Sequence, residues 1–289
     1  MSAPTGGPGA VTDLAEEVAR ATEALRASRP LVCCLTNEVV VQISANALLA
    51  AGAAPAMPRH PAEAAQLAGL AGAVLVNLGT VDDVQEEAVR RAVASAGAAG
   101  VPWVLDPVAV GVLDHRTALA RELVTLGPVA VRGNASEVMA LAGAGGGGRG
   151  TDTAHGVEEA AAAAADLADR SGAVVAVSGV RDLVVAPGGR RLLVDGGSEL
   201  GTRVTGFGCA LGALVAAYAA AAPTDALLAV AAAHAHVSAA AGAAAAAARG
   251  PGSFAVAWLD ELDRVGGADA ARLVGAEHAP AGAATGAGA

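Results

Sequence analysis

Aromatic side chains are nearly missing from this sequence. Phe, Trp and Tyr supply 2% of the 289 residues, and charged residues only 16%. A core built on large rings is excluded, so helix–sheet packing must rest on small and aliphatic side chains. A chain of this length can still bury a substantial core. Cysteine is also scarce. Cys33, Cys34 and Cys209 are too few for a disulfide framework, and no C-x-x-C metal spacing occurs. A reduced, cytoplasmic setting is expected. Basic clusters are missing too. The net charge is -10, and no Lys/Arg face offers itself to nucleic acid. An anionic substrate would have to be met locally, by backbone N–H groups, a few arginines or a metal. The first residues, MSAPTGGPGAVTDLAEEVAR, lack the basic and apolar regions of an export signal. The most membrane-like stretch, Ala226 to Arg249, is alanine-rich and carries His234 and His236 at mid-length. It reads as a buried globular helix, and no membrane partner is expected.

What is present is a rhythm. An amphipathic helical pattern over Thr12–Arg26 precedes a short apolar run, Leu31–Leu35, and a helical pattern over Val41–Ala51. Further runs follow at Ala73–Leu78, Pro102–Leu105, Val129–Val131 and Ala173–Val177, each ending in polar or glycine residues. Strand-length apolar runs alternating with helices predict an α/β fold with a mostly parallel central sheet. Leu183–Ala186 and Arg191–Val194, split by PGG, read as an added hairpin. From Gly206 onward the pattern is nearly all helical. The Gly-rich segment 143–150 reads as a flexible loop within a single domain spanning 1–289, and the tips 1–10 and 281–289 as disordered.

Folds of this class place their chemistry at the carboxyl ends of the strands, and several candidate residues lie there. In VTGFGCALGA, Gly206 and Gly208 permit close backbone approach just where a helix begins. The free N–H groups and positive dipole end of that helix suit an anion such as a phosphoryl group in transfer. Cys209 sits in the first turn, where the thiolate should be favoured and the thiol pKa should fall; a buried inert thiol is the plainer reading. Asp106 directly follows a strand and is either a cap or a carboxylate holding Mg²⁺ near phosphates. Asn134-Ala135-Ser136-Glu137 is either a capping box or a polar group facing a metal–phosphate unit. Arg132 could neutralise phosphate charge. Asn37 and Met57 read either as turn and core residues or as the lining of a small, partly apolar substrate pocket.

The segments LTNEVVVQISANALLAAGAAPAM, LVNLGTV, PWVLDPVAVGVLD, VRGNASEVMALAG, TRVTGFGCALGA and GPGSF occur in this order. Over residues 30–265 the chain resembles the hydroxyethylthiazole kinases of the ribokinase-like superfamily. RGNASE together with the G-x-G-C helix start separates these from ribokinase-like sugar kinases, which usually carry Asp at the position of Cys209. The resemblance implies a three-layer α/β/α fold. It implies transfer of the γ-phosphoryl of ATP, with Mg²⁺, to the hydroxyl of 4-methyl-5-(2-hydroxyethyl)thiazole in thiamine salvage, by a homotrimer with pockets at subunit interfaces. It places Met57, Gly206 and Asn37 at the thiazole alcohol. Arg132, Ser178 and Gly208 fall at ATP, Asp106 and Glu137 at the metal and phosphates, and Cys209 at the catalytic position.

Two positions depart from the family pattern. Phe207 stands between the motif glycines where a small residue, usually Thr, is found. If only backbone serves the anion there, the ring is tolerated; if a hydroxyl is needed, activity suffers. Ser178 stands where Thr is frequent and keeps the hydroxyl. Alternative readings are a kinase for another small alcohol such as hydroxymethylpyrimidine, a hydrate-repair enzyme on a related fold, and a nucleotide-binding protein without turnover.

Overall fold

In the computed structural model the described residues are 9–144 and 157–276. Of the segments read as flexible, residues 1–8, 145–150 and 281–289 lie outside them. Among the described residues nine strands form one sheet: β1 (Leu31–Leu35), β2 (Ala54–Ala56), β3 (Ala73–Asn77), β4 (Trp103–Asp106), β5 (Ala130–Asn134), β6 (Val174–Ser178), β7 (Asp182–Val185), β8 (Arg191–Val194) and β9 (Val274–Ala276). The spatial order is β2-β1-β3-β4-β5-β6-β7-β8-β9. Pairing is parallel from β2 through β6 and antiparallel from β6 to β9.

The helices are α1 (Gly9–Ser28), α2 (Val41–Ala51), α3 (Pro61–Ala68), α4 (Asp83–Ala99), α5 (Asp114–Leu123), α6 (Ala135–Ala142), α7 (Val157–Ser171), α8 (Phe207–Ala221), α9 (Ala226–Ala247), α10 (Pro251–Arg264) and α11 (Gly267–Ala271). Strand side chains alternate between two faces. Val32, Cys34, Leu75 and Val104 pack with α1, α2 and α8 to α11. Cys33, Leu35, Val74, Val76 and Leu105 pack with α3 to α7. Both faces of the sheet are therefore covered, which explains the unbroken apolar runs and gives the expected three layers. Cys33 and Cys34 fill opposite cores, as inert buried thiols. Burial pushes Cys33 up to about 12, and Cys34 higher still.

Several details differ from the sequence reading. The segment before Met57, not among the apolar runs read as strands, is β2, paired parallel with β1 through Leu31, Val32 and Cys33. Alanine and proline carry little strand propensity, and only an edge position tolerates that composition. The helical tail ends in a short strand, β9, against β8. Arg132, Gly133 and Asn134 extend β5 rather than follow it, paired with Ala176, Val177 and Ser178.

The membrane-like stretch is α9, long and apolar enough to cross a bilayer by length and composition alone. It lies inside the protein instead, against α1, α8, α10 and β8. His234 and His236 on it are fully buried. The His236 Nε2 donates to the Leu262 carbonyl over 2.9 Å, and its Nδ1 lies 2.9 Å from the Tyr218 hydroxyl. Burial holds this imidazole down at about 4. A ring of that kind belongs to a protein core with internal partners.

Candidate active site

Five adjacent parallel strands end in polar residues. Asn37 follows β1, Asn77 ends β3, Asp106 ends β4, Arg132 and Asn134 lie at the end of β5, and Ser178 ends β6. Register puts Asn77 beside Asp106 and Asn134 beside Ser178. Helix α8 starts directly above this row and packs on β1, β3 and β4. The sheet's own geometry thus assembles one polar line, with Cys209 in the first turn of the covering helix.

Hydrogen bonds and one ion pair join the line. The Asn37 Nδ2 donates to the Asn77 Oδ1 over 3.0 Å and approaches the Cys209 Sγ at 3.5 Å. The Asn77 Nδ2 donates to the Asp106 Oδ2 over 2.7 Å. The Arg132 guanidinium lies 3.9 Å from the Asp106 Oδ1 and donates from Nε and Nη2 to the Ser178 Oγ over 3.2 and 3.0 Å. A connected chain therefore runs from Cys209 to Ser178 through Asn37, Asn77, Asp106 and Arg132.

Asn77 was not singled out from the sequence. It is fully buried, and its Oδ1 also accepts the Gly79 N–H over 3.0 Å. A carboxylate can only accept, so the Asp106 oxygen fixes which end of the Asn77 amide faces it. The Gly79 N–H fixes the same orientation from the other side. Its sequence signal is a lone asparagine closing an apolar strand run, one residue type away from an ordinary turn.

The α8 N-terminus is shaped by two glycines. Gly206 has φ +88°, and a Cβ there would lie 2.5 Å from the Ile43 Cγ2. At Gly208 a Cβ would press on the Arg132 guanidinium at 3.0 Å, so its absence lets the arginine lie against the first turn. The Phe207 N–H is taken by the Val204 carbonyl and the Ala210 N–H by the Gly206 carbonyl. The N–H groups of Gly208 and Cys209 have no acceptor among the described residues. The anion-binding donors are thus narrower than the sequence suggested, because residue 207 uses its N–H internally. Its ring faces the core rather than the polar line. It packs on Trp258 and Phe254, with centroids 4.7 and 6.1 Å away, and against Gly201. Both phenylalanines of the chain and one of its two tryptophans meet here.

The expectation that Cys209 is ionised by the helix start does not hold. Its thiol is pushed up to about 11, by burial first and then by the Asp106 carboxylate. Hydrogen bonding from Asn77 and Asn37 and the Arg132 charge oppose this without overcoming it. Removal of water from around the sulfur favours the neutral thiol.

Asp106 is 1% exposed. Burial, opposed by Arg132 and reinforced by Glu137, raises its carboxyl to about 7. Its Oδ1 is buried and accepts no hydrogen bond among the described residues. Glu137 completes the capping box of α6: its Oε2 accepts the Asn134 N–H over 2.9 Å, and the Asn134 Oδ1 accepts the Glu137 N–H over 2.9 Å. The Glu137 Oε1 accepts the Ala109 N–H over 3.1 Å. The capping reading and the metal reading of this glutamate are compatible, since each oxygen retains a second lone pair. An orphaned buried carboxylate oxygen beside a second carboxylate suits Mg²⁺, which takes one or two carboxylates and draws its other ligands from water and phosphates.

Asn37 is 5% exposed and makes no side-chain cap to the turn Glu38–Val40 that follows. Its amide is committed to the polar line. Met57 follows β2, half-buried against the same apolar cluster as Ile43 and Phe207. It stands apart from the hydrogen-bonded chain, toward the edge of the sheet.

The family model described as the hydroxyethylthiazole kinase family matches residues 22–267. A protein named hydroxyethylthiazole kinase from Kineococcus radiotolerans is 58% identical over 258 residues, covering 89% of this chain and 93% of that protein. The solved structure of a hydroxyethylthiazole kinase protein from Pyrococcus horikoshii superposes with a TM-score of 0.79 at 37% identity, covering 87% of this chain and 94% of that one. A ribokinase-like superfamily protein from Enterococcus faecalis shares the fold at a TM-score of 0.59 and 13% identity, covering 84% and 94%.

Proposed function

The chain belongs to the hydroxyethylthiazole kinase family, and we propose that it transfers the γ-phosphoryl of ATP to the hydroxyl of 4-methyl-5-(2-hydroxyethyl)thiazole, in thiamine salvage. The observation that carries this reading is the polar line itself: a cysteine, a carboxylate with a free oxygen and an arginine converging beneath unpaired N–H groups of a helix start. Phosphoryl transfer needs positioning and charge neutralisation more than covalent chemistry, and these groups supply both. All cationic side chains of the chain are arginines, so phosphate charge is met here by the Arg132 guanidinium.

Each residue then has a task. The N–H groups of Gly208 and Cys209 hold the transferring phosphoryl oxygens. Arg132, held by Ser178, neutralises the phosphate chain. Asp106 and Glu137 would hold Mg²⁺, which would supply charge neutralisation for the phosphates. Cys209 accepts the proton of the attacking hydroxyl. Gly206, lacking a Cβ, lets Val40 and Ile43 close on the α8 start and meets the alcohol through its backbone, and Met57 and Asn37 line the thiazole side of the pocket. Phe207 packs on α10, and its side chain takes no part in holding phosphate.

A homotrimer agrees with the surface. Val39 is 67% exposed, Leu49 59% and Val256 64%. Val39 adjoins Asn37, Leu49 lies on α2, and Val256 lies on α10, which packs against α2. Apolar surface of this kind beside a substrate pocket suits subunit contact. Sedimentation equilibrium is expected to give three times the chain mass of 27.6 kDa; a monomer mass at micromolar concentration removes the trimer.

The function is tested by ADP release with Mg-ATP, with and without hydroxyethylthiazole, using hydroxymethylpyrimidine as control alcohol. Thiazole-dependent turnover is expected with Phe207 in place. Turnover on the pyrimidine alone would reassign the substrate. ATP bound without turnover on either alcohol would leave a nucleotide-binding protein.

A further inference from the structure

The turn that follows Ser178 is tied to the interior by a pair of side chains that no step above uses. Asp182, the first residue of β7, accepts the Gly179 N–H at Oδ1 over 2.8 Å. Its Oδ2 lies 2.7 Å from Nδ1 of His234, which is fully buried on α9. A carboxylate only accepts, so the imidazole Nδ1 donates. The arrangement therefore runs from a core helix, through a carboxylate, to one backbone N–H of the β6–β7 turn.

A buried pair of this kind contributes little to stability for its desolvation, and apolar side chains of similar volume would join α9 to β7 as well. Apolar side chains could not hold the Gly179 N–H. From the other side, Val157 of α7 closes on the same glycine: a Cβ there would meet its Cγ2 at 2.4 Å. The turn is thus fixed on both sides, one residue beyond the hydroxyl that receives both hydrogen bonds from Arg132.

We propose that Asp182 and His234 are positioning residues for the nucleotide. By fixing the Gly179 N–H they fix the Ser178 Oγ, and through it the plane of the Arg132 guanidinium beneath the α8 start. The proposal rests on the reading that Arg132 and Ser178 meet ATP.

Two measurements test it, neither of which needs the alcohol: calorimetric affinity for Mg-ADP, and hydrogen exchange of the peptide containing Gly179. Asp182→Ala and His234→Leu are each expected to speed that exchange and to weaken Mg-ADP about tenfold, the loss of one charge-assisted hydrogen bond. His234→Asn, whose amide nitrogen can stand near the place of Nδ1, should restore both. The double variant should be no weaker than Asp182→Ala alone, because both act through one contact. In turnover, the KM for ATP should rise while that for the alcohol stays within about twofold, a split that general loosening of the fold would not give. If His234→Leu does not fold, Asp182→Ala carries the same comparison. Unchanged exchange at Gly179 overturns the proposal. So does faster exchange with Mg-ADP affinity intact, or losses that multiply in the double variant. A wild-type chain that binds no Mg-ADP would instead remove the reading of the site itself, and the proposal with it.

Discussion

Replacing Cys209 with alanine is expected to lower kcat by roughly 10²–10⁴-fold, the span ascribed to a positioned general base, while Mg-ATP binding persists. The substitution removes the sulfur that meets the Asn37 amide and leaves the backbone N–H groups of the α8 start in place. Phosphate recognition therefore survives and proton acceptance does not. The raised thiol adds a second signature. With a pKa of about 11, the thiolate form grows with pH throughout the neutral and mildly alkaline range. A base must be deprotonated to act, so kcat/KM should climb with pH toward that value. In Cys209→Ala the climb should vanish. A kcat unchanged by the substitution would leave Cys209 without a role as base.

Asp106→Asn is expected to separate activity from stability. The amide is nearly isosteric: its oxygen can take the Asn77 hydrogen bond, and its nitrogen the position of Oδ1, which accepts no hydrogen bond. Packing is kept, but the charge proposed to hold Mg²⁺ is gone. Because metal stabilisation of charge is worth several kcal/mol in such reactions, kcat/KM should fall by about 10³-fold or more. Stability should move the other way. The folded carboxyl titrates near 7 against an ordinary value of 3.8, so folding retains a proton that the unfolded chain has lost between those values. Wild-type stability is thus highest at the acid end of that window and declines as pH rises through it, by up to about 4 kcal/mol. The asparagine variant should escape the decline, with a higher Tm at pH 8 and little difference near pH 4. Equal Tm values at pH 8 would mean that Arg132 and Asn77 already offset the burial of the charge.

The architecture was open to reading because parallel strands buried on both faces leave unbroken apolar runs. Leu31–Leu35 is the clearest: the sequence bounds and the strand coincide. β2 and β9 escaped because Ala54-Pro55-Ala56 and Val274-Gly275-Ala276 have no such composition, and only the neighbouring strand makes them strands. At the candidate site, residue types and their order were visible, but connection and environment were not. Asn77 looks like any asparagine at the end of a strand until Asp106 is set beside it across the β3–β4 ladder. Cys209 at a helix start promised a lowered pKa, since sequence displays the dipole and conceals desolvation. Phe207 looked like an intrusion into the phosphate loop. Its direction depends on α10, some fifty residues further along, where Phe254 and Trp258 receive it.

The strand order also bears on how the chain comes off the ribosome. Apart from the exchange of β1 and β2, sheet neighbours follow one another in sequence from β3 to β9, so the sheet can lengthen as each strand emerges. Its two sides are not completed together. Helices α3 to α7, which clothe one side, arrive between the strands they cover. Most of the opposite side waits for α8 to α11, made after β8. A nascent chain halted before Gly206 would hold β3 and β4 with that side bare, a surface suited to chaperones or to its own kind. Cys209 joins the polar line in the same late event that buries that side. The polar line is therefore completed in the same step that covers the second face of the sheet.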